Sequence, residues 1–145
     1  MVEEQYKFFK TGEYSCKTIK EAIEKVYSKQ EVMEYYMIGL MFSQLFWKSH
    51  YEIFRYFSKN IERYLINKQK YLEIGGGHGL FTSEVIKKIK NETEVTIVDI
   101  SDTSLKMSQD IIENENVKYI CSNILEFENR ENYDFITMGE VLEHF

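Results

Sequence analysis

The spacing of hydrophobic positions changes near residue 69, and this change divides the chain into two regions. Over residues 21–65 the apolar positions recur at intervals of three and four, as in amphipathic helices, and a polar break at residues 48–50 separates two helical stretches. No convincing strand pattern occurs before residue 70. The pattern therefore predicts a helical cap over residues 1–69.

After residue 70, short apolar runs alternate with amphipathic stretches, which is the pattern of parallel βαβ units. The runs predict strands at residues 71–74, 95–100, 117–121 and 134–138. The intervening spacing predicts helices over 80–90 and from Ser101 or Asp102 to about 114, with either residue able to act as the N-cap. A further helix is expected to begin near Glu140. We therefore predict an α/β fold with a parallel sheet over residues 70–145.

A glycine-rich loop between the first predicted strand and its helix is the strongest single feature. Four of the seven glycines lie within five residues, in the sequence GGGHG at 75–79. Glycine lets the backbone turn sharply and lets a ligand approach it closely, and the helix that follows offers free N–H groups. A dinucleotide fingerprint would need glycine where Leu80 stands, and a P-loop would need Gly-Lys-Ser/Thr, which is absent. The pattern present is G-x-G-x-G.

Residues 72–79 resemble the first motif of the class I S-adenosylmethionine-dependent methyltransferases. The resemblance covers about residues 70–145, roughly the first half of that family's catalytic domain. It implies a Rossmann-like sheet whose first four strands have the order 3-2-1-4, and S-adenosyl-L-methionine as the cofactor. The residues that we expect to bind the cofactor are Glu73, Gly75, Gly76, Gly77, Gly79, Asp99, Ile100, Asn123, Ile124 and Gly139. His78 is expected to point toward the ligand mouth or solvent.

Two polar residues after successive strands match the resemblance to different degrees. Asp99 ends the second predicted strand, where a carboxylate can accept hydrogen bonds from both ribose hydroxyls; alternatively it only complements a helix dipole. Ile100 would then face the adenine. Asn123 stands where the family usually has Asp. Its side-chain oxygen could still accept from the adenine amino group, or the residue could only shape a turn.

The turn after the fourth predicted strand carries the candidate catalytic residues, Glu143 and His144. We expect His144 to be the general base that deprotonates the methyl acceptor, because imidazole can take a proton near neutral pH. Alternatively, both residues only cap or pack the helix. Glu140, Glu143 and His144 would share one helix face, which also permits a divalent metal, as in small-RNA 2′-O-methyltransferases of plants. Those enzymes have a further distant His that is absent here, so we predict no metal.

Charge and composition limit the kinds of partner and the compartment that we expect for this chain. The net charge is −6, and residues 70–145 carry 7 Lys and Arg against 15 Asp and Glu. This acidic balance disfavours a nucleic-acid surface. The two cysteines lack metal-ligand spacing, the N-terminus has no secretory signal, and the apolar stretch at 38–47 is shorter than the roughly 20 residues that span a bilayer. We expect a cytoplasmic protein without a membrane segment.

The predicted function is methyl transfer from S-adenosyl-L-methionine to an O or N atom of a small molecule. The alternatives are a cofactor-binding but inactive module, a subunit completed by a partner, and a metal-dependent RNA 2′-O-methyltransferase. Strand four would be an apolar, unpaired edge, which is an association hazard. We therefore expect residues 1–145 to be the N-terminal part of a longer protein, with a partner chain or self-association along that edge as the alternatives.

Overall fold

Four parallel strands flanked by helices make up the fold. The computed structural model describes residues 2–67, 69–89, 92–128 and 131–142. The helices are α1 (Val2–Thr11), α2 (Ile19–Ala22, continued by a π-helical turn at Ile23–Tyr27), α3 (Gln30–Phe46), α4 (Lys48–Leu65), α5 (Leu80–Ile86) and α6 (Asp102–Ile112). The strands are β1 (Lys70–Ile74), β2 (Glu94–Asp99), β3 (Val117–Cys121) and β4 (Phe135–Met138). Within the described residues, helices alone precede β1, as predicted.

The sheet has the strand order β3-β2-β1-β4, and each neighbouring pair is parallel. The order 3-2-1-4 and the Rossmann-like fold class are therefore confirmed. Ile74 at the end of β1 is in register with Val98 in β2 and Met138 in β4. The carboxyl ends of the strands consequently meet at one edge, where ligands bind in open α/β sheets. On the outer strand β4, the side chain of Ile136 is 52% exposed.

The central strands alternate their side chains between two apolar clusters. One cluster contains Tyr71 and Ile97 and is covered by helices, with Ile61 from α4, Val85 from α5 and Leu105 from α6. The opposite face carries a second cluster, which is covered by side chains from β3, β4 and the segments that follow them. Its members are Leu72, Ile74 and Val98, with Ile120, Ile124, Phe127, Tyr133, Met138 and Val141 packed against them. Burial on both faces explains why β1 and β2 have apolar residues on both faces, at 71, 72 and 74 in β1 and at 95, 97 and 98 in β2.

Helix boundaries agree with the sequence pattern to within a few residues. The break between α3 and α4 falls at Trp47, which is extended (φ −96°, ψ 122°), so residues 48–50 form the first turn of α4 and not the break itself. Helix α5 ends at Ile86, four residues earlier than predicted. Ser101 is the N-cap of α6, since its Oγ accepts a hydrogen bond from the Ser104 N–H at 3.3 Å. No helix among the described residues is long and apolar enough to cross a membrane.

Candidate cofactor and active site

A cavity of about 740 Å³ opens at the carboxyl edge of the sheet, within the range of roughly 300–1,000 Å³ found for small-molecule sites. The glycine loop and the ends of the strands form one wall, and α3 and α4 form the facing wall. Nine of the predicted cofactor residues line it: Glu73, Gly75, Gly76, Gly77, Asp99, Ile100, Asn123, Ile124 and Gly139. Gly79, the tenth, is not among the lining residues; it is the N-cap of α5.

The backbone of the glycine loop depends on residues without a Cβ. Gly75, Gly77 and Gly79 have φ values of 70°, 52° and 78°, in the left-handed region that side chains disfavour. Gly76 has a different reason, since a Cβ there would overlap the side chain of Ile97. Because these residues have no side chain, it is the backbone of residues 75–77 that lines the cavity.

Asp99 forms hydrogen bonds with both the glycine loop and the residue at the start of α6. Its Oδ2 accepts a hydrogen bond from the Gly77 N–H at 3.0 Å, and its Oδ1 accepts one from the Ser101 N–H at 2.8 Å. Burial raises the pKa of Asp99, and these backbone hydrogen bonds act against that rise. Each carboxylate oxygen has a second lone pair that can accept from a ligand hydroxyl. The site thus fits a ribose diol next to the loop.

Glu73 is a buried carboxyl group at the base of the cavity. Its side chain is 5% exposed, and the Thr82 hydroxyl donates a hydrogen bond to Oε2. Burial, and secondarily the charge of Asp99, raises the pKa of Glu73 to about 8. The group is therefore largely protonated at neutral pH. A cation bound nearby would favour its ionised form.

His78 has a structural role that the sequence analysis missed. His78 is among the lining residues and is only 4% exposed, so the alternative that its side chain points to solvent is wrong. Nδ1 accepts a hydrogen bond from the Leu80 N–H at 3.2 Å, and burial lowers the pKa of His78 to about 4. The neutral ring therefore satisfies an otherwise free N–H at the start of α5. The sequence signal for this role is the position of His78 two residues before Leu80, from which a side chain can accept a hydrogen bond from the backbone N–H.

The turn after β4 contacts the glycine loop, as the strand order predicts. A Cβ at Gly75 would overlap Val141, so the two loops are in van der Waals contact. Glu140 has φ 53° and does not begin a helix. The helix predicted to begin near Glu140 therefore does not include Glu140 itself, so Glu140 does not share a helix face with the residues after it. The rest of that prediction falls on residues 143–145, which lie outside the described residues. Glu143 and His144 lie outside the described residues, and their catalytic role stays a prediction.

Glu140 instead contacts a histidine from α4. Its Oε1 lies 3.2 Å from His50 Nε2, and His50 Nδ1 lies 2.7 Å from Ser43 Oγ on α3. This Ser43–His50–Glu140 chain joins the helices to the cavity, since Glu140 lines it. The sequence pattern gave no signal for this contact.

The described ranges contain no group of three or more His, Cys, Asp or Glu side chains that could hold a metal ion. Cys16 and Cys121 are free thiols. The metal alternative depended on Glu143 and His144, which fall beyond these ranges.

These features define a class of protein: a parallel 3-2-1-4 sheet with a glycine loop after its first strand and an acid at the end of its second is a Rossmann-like nucleotide-cofactor domain. Residues 72–145 match the family model described as Methyltransferase domain. The chain belongs to this family, which confirms the resemblance to class I methyltransferases. No curated protein matches the chain.

Solved methyltransferases share the fold. The N-methyltransferase NodS from Bradyrhizobium japonicum WM9, in complex with S-adenosyl-L-homocysteine, is similar with 21% identity and a TM-score of 0.55, over 63% of this chain and 46% of that one. The plantazolicin methyltransferase BpumL, in complex with a triazolic desmethylPZN analogue and S-adenosyl-L-homocysteine, is similar with 18% identity and a TM-score of 0.54, over 81% of this chain and 52% of that one. The methyltransferase domain of bacterial CtHen1-CN has 25% identity and a TM-score of 0.53, over 61% and 51%. The chain spans about half the length of these structures.

Proposed function

We propose that the protein binds S-adenosyl-L-methionine in the cavity and transfers its methyl group to an O or N atom of a small molecule. The observation that carries this proposal is the hydrogen bond from the Gly77 N–H to the Asp99 carboxylate at the cavity wall. It brings the glycine loop and the strand-two acid together. The product S-adenosyl-L-homocysteine is present in the NodS and BpumL structures, which supports the same cofactor here.

Several of the predicted cofactor residues would each contact one part of this ligand. Asp99 would accept from the ribose hydroxyls, Ile100 would pack on the adenine, and Asn123 would accept from the adenine amino group. When bound, S-adenosyl-L-methionine supplies a methyl group activated by a sulfonium cation. Glu73 would compensate that positive charge. Burial keeps its carboxyl group protonated, and a nearby cation would favour loss of the proton. The helices before residue 70 would serve as the cap of this site.

The proton of the acceptor needs a base at the β4 side of the cavity. We propose His144 as this base, with Glu143 as the second catalytic residue. Glu140 is a second candidate, because its carboxylate lines the cavity and is oriented by His50. If His144 is the base, His144→Ala should abolish transfer and chelators should have no effect. Loss of activity with chelator, restored by a divalent ion, would instead favour the metal-dependent RNA 2′-O-methyltransferase.

The exposed edge of the sheet leads to a proposal about partners. Within the described residues β4 pairs with β1 alone, and Ile136 on it is half exposed. We propose that a partner or a second copy of the chain can pair along this edge. Sedimentation velocity of the protein and of Ile136→Lys would test this, since the substitution should shift any oligomer toward monomer. The two free thiols fit the proposed cytoplasmic compartment.

Isothermal titration with S-adenosyl-L-methionine, S-adenosyl-L-homocysteine and NAD tests the cofactor assignment. Both adenosyl ligands should bind, and NAD should not. Binding of NAD without either adenosyl ligand would contradict the proposal. Transfer of a labelled methyl group from S-adenosyl-L-methionine to a panel of small alcohols, phenols and amines then separates an enzyme from an inactive cofactor-binding module.

A further inference from the structure

One side of α3 forms the cavity wall that faces the glycine loop. Met33, Met37 and Leu40 line the cavity, and Gln44 follows them on the same side. Spacings of three and four place these residues on one helix face. The wall is therefore apolar over about two turns and ends in an amide.

Gln44 is an exception to the pairing of buried polar groups. Its side chain is 2% exposed, and Oε1 has no hydrogen-bond partner among the residues that the structure describes. Buried polar atoms in native proteins are nearly always paired, so an unpaired one needs a reason. Gln44 is a lining residue of the cavity, so its buried oxygen is an acceptor at the cavity wall that no described protein group uses.

The amide lies on the side of the cavity away from the proposed cofactor residues. Met37 marks the glycine-loop side, because its Sδ would be 3.6 Å from a Cβ built on Gly77. Gln44 is seven residues further along α3, about 10 Å at 1.5 Å per residue. It is adjacent to Ser43, which is joined through His50 to Glu140 on the turn after β4. A ligand next to Gln44 would therefore lie beside that turn, where the acceptor would meet the methyl group.

The charge of the lining restricts the ligand further. Asp99 and Glu140 are acidic, and Lys17 is the single Lys or Arg among the described lining residues. Lys17 forms an ion pair of 2.7 Å with Glu13. This balance disfavours an anionic acceptor. Aromatic rings from α4 and α5, Phe57 and Phe81, pack edge-to-face with their centroids 4.9 Å apart and extend the apolar wall.

We propose that the α3 wall is the acceptor subsite, and that it takes a largely apolar, aromatic molecule without negative charge, which donates one N–H or O–H hydrogen bond to Gln44 Oε1 when the amide turns toward the cavity. The inference rests on the proposed function, because it names the acceptor for that same cavity. The hydrogen bond would satisfy the unpaired oxygen, and a matching molecule without a donor would leave it unpaired. Selection by one donor group is therefore the expected property of the site.

Indole and benzothiophene are suitable probes, because they have nearly the same shape and only indole has an N–H donor. Their dissociation constants would be measured by ligand-observed NMR, with and without saturating S-adenosyl-L-homocysteine. Indole should bind about tenfold more tightly than benzothiophene. Gln44→Met should abolish or reverse this preference. Gln30→Met is the matched control, since Gln30 is exposed at the start of the same helix, and it should retain the preference. Gln44→Leu replaces Gln44→Met if the latter fails to fold.

Two results would overturn the inference. One is an equal affinity for the two probes in the unmutated protein. The other is a Gln44→Met protein that keeps the preference for indole, or that loses affinity for S-adenosyl-L-homocysteine instead, which would assign the amide to the cofactor. Failure of S-adenosyl-L-homocysteine to bind the unmutated protein would contradict the proposed function, and the probe measurements without it would still decide the role of Gln44.

Discussion

His50 and Glu140 are ninety positions apart in the sequence, yet His50 Nε2 lies 3.2 Å from Glu140 Oε1. The other ring nitrogen of His50 lies 2.7 Å from Ser43 Oγ, so both nitrogens are engaged and the ring orientation is fixed. The contact joins α4 to the turn that carries the predicted base. A change at His50 therefore reaches the cavity through Glu140.

His50→Ala should lower the free energy of unfolding by about 1 kcal/mol and reduce methyl transfer, because Glu140 loses the group that orients it. The affinity for S-adenosyl-L-homocysteine should change less than twofold, since Asp99 and the glycine loop are untouched. Urea unfolding of His50→Ala, Glu140→Gln and the double variant measures the coupling, which we expect to be about 0.5–1 kcal/mol because the pair is partly exposed. Strictly additive losses would show that the contact contributes nothing.

Glu73 should make stability fall as the pH rises. The carboxyl group releases its proton near pH 4.5 in the unfolded chain and near pH 8 in the folded protein. Between these values the folded state holds a proton that the unfolded state has lost, so the slope of unfolding free energy with pH is negative, and it flattens above pH 8. Glu73→Gln removes this contribution. The variant should gain stability relative to the unmutated protein from pH 4.5 to 8, by up to roughly 5 kcal/mol. A constant difference across that range would contradict the shifted pKa.

Asp99→Ala should weaken S-adenosyl-L-homocysteine binding by about 2–4 kcal/mol, because both proposed ribose hydrogen bonds are lost. The substitution also removes the acceptor for the Gly77 and Ser101 N–H groups, so some loss of stability is expected as well. Asp99→Asn is the matched variant, since it keeps one acceptor oxygen and should have an intermediate affinity. Calorimetric titration gives both values. A folded Asp99→Ala protein with unchanged affinity would exclude Asp99 from the site.

Gly76→Ala should destabilise the fold by about 1–3 kcal/mol, because the new Cβ would overlap the side chain of Ile97 in the packed sheet. Gly139→Ala is the control, since a Cβ there would meet nothing within 4 Å. Thermal unfolding of the two variants should therefore differ clearly. Equal melting temperatures would show that the loop moves freely away from Ile97.

Local patterns were enough to predict the sheet and the cofactor edge. The alternation of β1 with α5 and the glycine loop, and the position of Asp99 at the end of β2, follow from short-range periodicity and turn chemistry. The contacts that depend on distant pairing were not predictable in this way. His50 meets Glu140 only because α4 packs beside the β4 turn, and the raised pKa of Glu73 depends on its burial in the folded protein and on the charge of Asp99. The left-handed backbone of Glu140 after β4 was likewise not predicted.

Trp47, the extended residue between α3 and α4, is an intrinsic fluorescent probe of the protein. It is the sole tryptophan of the chain, and its ring meets that of His50 edge-to-face with the centroids 5.0 Å apart. The indole emission therefore comes from the junction between the helices and the β4 turn, without any attached dye. Intrinsic fluorescence during a ligand titration would show directly whether that junction rearranges when the cavity fills.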